Sequence, residues 1–124
     1  MTTHTKEEIA DDCEDLNYSE LLVLHFLRDE RWEYKTRVMN ALIKEYGDIV
    51  DHGPYMGYGR EYSDDIDEAF ISMESWGALY TNEEGKFRIT GYGILLHDCL
   101  MSGEWEWPDP KVNRTIERLK GAGE

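Results

Sequence analysis

The spacing of apolar residues changes once along this chain, and the change lies between Ser63 and Gly93. Ile66, Ala69, Phe70 and Met73 fall on one side of a helical wheel, whereas Lys86 to Thr90 alternates apolar and polar side chains in the manner of a strand. Ser63 is suited to cap the helix, and Asp64, Asp65 and Asp67 place negative charge on its positive end. Gly77 fits a left-handed stop, Ala78, Leu79 and Tyr80 enter a short strand, and Asn82 to Gly85 make the turn to Lys86. The pattern predicts a helix followed by a small antiparallel hairpin.

The same reading extends to both sides. Met1 to Asp15 is polar apart from Ile9, Ala10 and Cys13, which predicts a frayed or loosely docked helix. Asn17 caps a segment that is apolar on nearly every side, through Leu21, Leu22, Val23, Leu24, Phe26 and Leu27. Such a helix needs cover on more than one face, and the second cover is expected from another subunit. Asp29 to Glu33 reads as a charged connection. Tyr34 to Gly47 is a helix with Val38, Leu42 and Tyr46 on one stripe, and Asp48 to Tyr62 is a long glycine-containing loop. Helical spacing returns from Gly91 to Met101 and again from Lys111 to Lys120, across a link holding Trp105, Trp107, Pro108 and Pro110. The expected organisation is an acidic segment over 1–16, one domain over 17–103, and a linker with an amphipathic helix over 104–124.

Composition changes the picture in one respect. The chain has 124 residues, 27 of them acidic and 13 basic, for a net charge of −14, yet 40% are hydrophobic and there are eight Tyr and four Trp. That much apolar material excludes a disordered acidic chain and places the acid on the surface of a folded one. A surface so anionic fits a strongly saline solvent, in which its self-repulsion is screened. With no run of about 18 apolar residues and no signal peptide, the expectation is a soluble cytoplasmic protein.

The order helix, helix, loop, helix, hairpin, helix, helix resembles the winged helix-turn-helix fold, mainly α with a β-hairpin wing. Phe70, Met73, Gly77 and Leu79 carry the end of the third helix, and Arg88, Ile89, Thr90, Tyr92 and Gly93 match the exit from the wing. Over Asn17 to Met101 the chain is similar to the PadR-like winged-helix transcription regulators, in the acidic form expected of halophilic archaea. The resemblance implies a homodimer that regulates transcription, with a stress response among its roles. Its partner would be double-stranded DNA, the third helix in the major groove and the wing on the backbone or minor groove.

The DNA-contacting residues expected on this basis are Lys35, Thr36 and Arg37 at a helix start, Arg60, Tyr62 and Ser63 before the third helix, Ser72 on it, and Lys86 and Arg88 on the wing. Tyr55 and Tyr58 are weaker candidates. Leu21, Leu24, Tyr92, Leu96, Leu100, Val112, Ile116 and Leu119 are the expected dimer contacts. The third helix carries Asp64, Asp65, Asp67, Glu68 and Glu74, which repel phosphate, so inorganic cations are expected between protein and DNA. A winged-helix module that binds a basic protein is the alternative.

Other chemistry is weak. His4, His25, His52 and His97 lack metal spacing, no phosphate loop or nucleophile elbow is present, and no carboxylate pair stands out. Neither a cofactor nor an enzymatic reaction is expected. Cys13 and Cys99 read as packing thiols, Cys13 with a raised pKa.

Overall fold

The computed structural model describes residues 5–54 and 61–121. Helix α1 (Lys6–Cys13) starts at Thr5, whose hydroxyl accepts from the Glu8 backbone N–H. It buries Ile9, Ala10 and Cys13 against a later helix, so the N-terminal helix is docked and not frayed. Helix α2 (Tyr18–Phe26) opens on a capping box: Asn17 accepts from Glu20 N at 2.9 Å, and Glu20 accepts from Asn17 N at 2.8 Å. Strand β1 (Glu33–Tyr34) leads directly into helix α3 (Lys35–Tyr46), where a charged connection was expected.

Two short strands, β2 (Gly53–Pro54) and β3 (Glu61–Tyr62), pair antiparallel before helix α4 (Asp64–Ser75). The loop expected over Asp48 to Tyr62 is therefore tied at both ends. Gly77 follows α4 with φ +80°, where an L side chain would be strained, and turns the chain into β4 (Leu79–Thr81). Strand β5 (Lys86–Ile89) returns, followed by α5 (Gly91–Met101) and α6 (Pro110–Gly121). The described residues are thus mainly helical, with six helices and a three-stranded antiparallel sheet in the order β1-β5-β4.

One core joins the six helices and strands β4 and β5. Leu21, Leu22, Val23 and Leu24 of α2 have no solvent exposure, and α3, α4, α5 and α6 all pack on this helix. The cover that seemed to need a second subunit comes from the chain's own helices. Leu96 and Leu100 of α5 and Val112, Ile116 and Leu119 of α6 lie in the same buried cluster. The linker before α6 is anchored by Trp107, whose indole N–H donates to Leu100 O at 3.4 Å and whose backbone exchanges hydrogen bonds with the Asn113 side chain.

The exit from the β4–β5 hairpin has a structural explanation. Ile89 is buried. The Thr90 hydroxyl accepts from Gly93 N at 3.0 Å, capping α5, and donates to Gly77 O at 2.7 Å. A Cβ on Gly93 would stand 2.3 Å from Ala78 O, so α5 can approach the hairpin only with glycine there. Tyr92 is half-buried and its hydroxyl donates to Asp12, tying α5 to α1. Among the described residues no helix is long and apolar enough to cross a membrane.

Candidate nucleic-acid interface

Strand pairing decides which side chains share a face. Tyr34 is paired with Lys86 and Tyr80 with Arg88, and partners in an antiparallel ladder point the same way. Lys86 and Arg88 are two residues apart on β5, so all four lie on one face of the sheet. Trp32 joins them: its ring centroid is 6.2 Å from that of Tyr80, and the Arg88 guanidinium stands over it at 5.9 Å. Lys86 Nζ lies 5.2 Å from the Tyr34 ring centroid.

The opposite face turns inward. There Phe87 meets Phe70 of α4 edge to face at 4.8 Å, and Leu79 and Ile89 are buried. Alternation along β5 thus separates a basic outward side from an apolar inward one, as the sequence predicts. Trp32, Tyr34 and Tyr80 remain 38%, 46% and 51% exposed, large apolar surfaces left in contact with water.

The start of α3 adjoins this face, because Tyr34 is both the end of β1 and the N-cap of the helix. Tyr34 provides no side-chain cap, and the first turn of α3 contains no acid. Its free N–H groups therefore sit beside Lys35, Thr36 and Arg37, with Thr36 and Arg37 exposed. Lys35 is engaged with Asp67 of α4. Burial opposes ionisation of Asp67, but hydrogen bonds from Lys35 and Tyr62 outweigh it and hold the carboxyl below its usual value.

The cations of the face have nearby carboxylates. Lys86 Nζ is 3.5 Å from Glu84, Arg88 Nη2 is 3.8 Å from Glu30, and Arg31 contacts Asp29 and Glu33. These are exposed pairs at long or moderate distance, each worth at most about 1 kcal/mol. A multivalent anion can displace them.

The remaining expected contacts are placed differently. Ser63 is fully buried: its hydroxyl donates to Asp51 O at 2.6 Å and accepts from Ile66 N at 3.3 Å, so it caps α4 and offers nothing to a ligand. Tyr62 is half-buried and bonded to Asp67, and Ser72 is half-buried on α4. Arg60, Tyr55 and Tyr58 lie outside the described residues. Of the expected dimer contacts, Leu21, Leu24, Leu96, Leu100, Val112, Ile116 and Leu119 are buried within the single chain and present no free surface to a partner. Their apolar stripes mark the core, a distinction that helical spacing alone does not make.

Helix α4 is also less anionic outside than its sequence implies. Asp65 accepts from the Tyr18 hydroxyl and Asp67 from Lys35, whereas Asp64 and Glu68 are exposed. Glu74 accepts from the Thr81 hydroxyl, a tie between α4 and β4.

The sequence reading missed Trp32, Tyr34 and Tyr80. The signal was the alternation Arg31, Trp32, Glu33, Tyr34, Lys35, and its meaning depends on β1 pairing with a strand more than fifty residues away.

Away from this face, His25 is half-buried and His97 and Cys13 are buried. His25 Nδ1 and His97 Nε2 are 2.9 Å apart, and burial pushes His25 down to about 4, with Arg28 and His97 adding to the effect. Burial also raises the Cys13 thiol well above its ordinary value. No group of three or more His, Cys, Asp or Glu among the described residues is placed to hold a metal ion. No family model, curated protein or solved structure matches the chain.

Proposed function

We propose that the chain is a winged helix-turn-helix regulator of the PadR-like kind, which binds double-stranded DNA as a homodimer under high salt. Helices α2, α3 and α4 would form the helix-turn-helix part, with α4 in the major groove and the β4–β5 hairpin as the wing. One observation carries the reading. Residues 31–37 and 86–90, joined through the β1–β5 pairing, contain Arg31, Lys35, Arg37, Lys86 and Arg88 and the one acid Glu33, while Asp29, Asp67, Glu84 and Glu30 pair from outside with Arg31, Lys35, Lys86 and Arg88. The two segments carry a net of +4, which those four carboxylates bring to zero, in a chain whose total is −14. A neutral cluster on so anionic a surface is where a polyanion meets least repulsion.

The second copy would cover Leu95 and Trp105, which are 45% and 39% exposed near the α1–α5 contact. Inorganic cations would lie between the DNA and Asp64 and Glu68 of α4. Ordinary DNA binders release cations, so log affinity falls with log salt by about 0.9 per neutralised phosphate. Here the acids gain cations as phosphate approaches, and the dependence becomes weak or reversed.

Gel shifts with genomic fragments at low and molar KCl test the proposal. The expected result is a shifted complex that persists at molar KCl, and a steep loss of affinity would overturn the salt argument. The exposed acids of α4 favour a second reading, in which that helix meets a basic protein. In that case every fragment stays unshifted at every salt concentration.

A further inference from the structure

We infer that the outward face of the three-stranded sheet, formed by Trp32, Tyr34, Tyr80, Lys86 and Arg88, is a stacking platform for an unpaired DNA strand. The inference rests on the nucleic-acid reading above and adds to it the kind of strand this face prefers.

Charge alone accounts for attraction to phosphate, but it does not account for the rings. The base faces of a closed duplex are stacked on one another, so a duplex offers an aromatic side chain only its sugar-phosphate rim and groove edges. An unpaired strand offers a flat π surface at each nucleotide together with the same negative charge. Three aromatic residues half in water, on one face with two cations between them, match that combination.

The free protein keeps the rings partly covered. Arg88 stands over Trp32 and Lys86 over Tyr34, and among the described residues their ion pairs, to Glu30 and Glu84 respectively, are long and partly exposed. A phosphate can give each cation a charge-assisted hydrogen bond shorter than either of these pairs. As Lys86 and Arg88 turn to the phosphates, the ring faces they leave become available to bases, so the two kinds of contact form together. The opposite face of the sheet stays fixed, because Phe87 and Ile89 are held in the core.

The test compares a labelled thymidine oligomer with a mixed-sequence duplex of equal length, at molar KCl, by fluorescence anisotropy. The protein is expected to bind the oligomer with quenching of Trp32, read as the difference between the unaltered protein and Trp32→Phe, in which Trp76, Trp105 and Trp107 remain. Replacing Tyr34 and Tyr80 together by Ser is expected to weaken oligomer binding by about a hundredfold and duplex binding by less than about threefold. Both rings are half-exposed, so the melting temperature should move little. Should the double variant unfold, the quenching of Trp32 in the unaltered protein decides the matter. Duplex binding without oligomer binding overturns the inference and leaves the regulator standing. Tighter binding of a uridine oligomer, or quenching only by a proline-rich peptide, also overturns it. Absence of any nucleic-acid binding removes the regulator and the platform together.

Discussion

The outward sides of α4 and of β5, on either side of one apolar contact, are opposites in charge. Helix α4 presents Asp64, Glu68 and the 62%-exposed Ile71, while β5 presents Lys86 and Arg88 braced on aromatic rings. Their inward sides are alike: Phe70 of one packs on Phe87 of the other. A shared core therefore holds two surfaces of opposite charge in fixed relation, and neither can be understood from its own segment. The acids on α4 do not make the region anionic throughout, because Asp65 and Asp67 are turned into contacts with Tyr18 and Lys35.

The strongest way to break this relation is through the shared core. Phe70→Ala removes the ring that joins the two elements and leaves a cavity under both, and is expected to cost about 3–5 kcal/mol. Denaturant unfolding measures it directly, and a loss below about 1 kcal/mol would mean that the two surfaces are not held by one core. Next in size is reversal of the charge on strand β5. Lys86→Glu with Arg88→Glu is expected to reduce duplex affinity by on the order of a hundredfold, with melting changed by only a few degrees. Affinity that survives both changes would move the binding surface away from the sheet.

These two variants also separate what could be read in the sequence from what could not. The α4 helix, its Ser63 cap, the turn at Asn82 to Gly85 and the alternation along β5 all depend on residues within a few positions of one another. They were legible for that reason. Strand β1 was not, since Glu33 and Tyr34 become a strand only through pairing with Phe87 and Lys86. The apolar positions of α2, α5 and α6 were found correctly, and their cover, which the spacing left open between the chain itself and a partner, is supplied within the single chain. Hydrophobic spacing tells which side of a helix is buried and is silent about what buries it. The docking of α1 was underestimated for a related reason: three apolar residues suffice when α5 supplies the facing surface. As for the candidate face, the shared side of Lys86 and Arg88 was legible from alternation, Ser63 is a cap, and the aromatic half of the face depended on the unseen strand.

Smaller changes sharpen the contrast between the two surfaces. Asp64→Asn with Glu68→Gln removes the exposed acids from the first turns of α4. If that helix lies against DNA, affinity at low salt rises by about three- to tenfold, and log affinity then falls with log salt as it does for ordinary DNA binders. An unchanged affinity would place α4 away from the duplex and leave the sheet as the contact.

The least expected effect lies at the polar joint between the surfaces, where Lys35 at the start of α3 meets Asp67 in the first turn of α4. Lys35→Ala is expected to cost about 0.5–1 kcal/mol, since the pair is partly exposed. The pH dependence distinguishes this from a packing effect. The Asp67 carboxyl is held below its ordinary value: burial opposes ionisation, but the bonds from Lys35 and Tyr62 outweigh it. The folded protein therefore binds fewer protons than the unfolded chain in the window just below the ordinary carboxylate pKa, and the pair's contribution is complete above that window. It is lost as pH falls through the lowered value. The difference between the unaltered protein and Lys35→Ala should thus be full at neutral pH and shrink towards zero in acid. A difference that stays constant with pH would assign Lys35 to packing, and the two surfaces would then be joined by their apolar contact without help from charge.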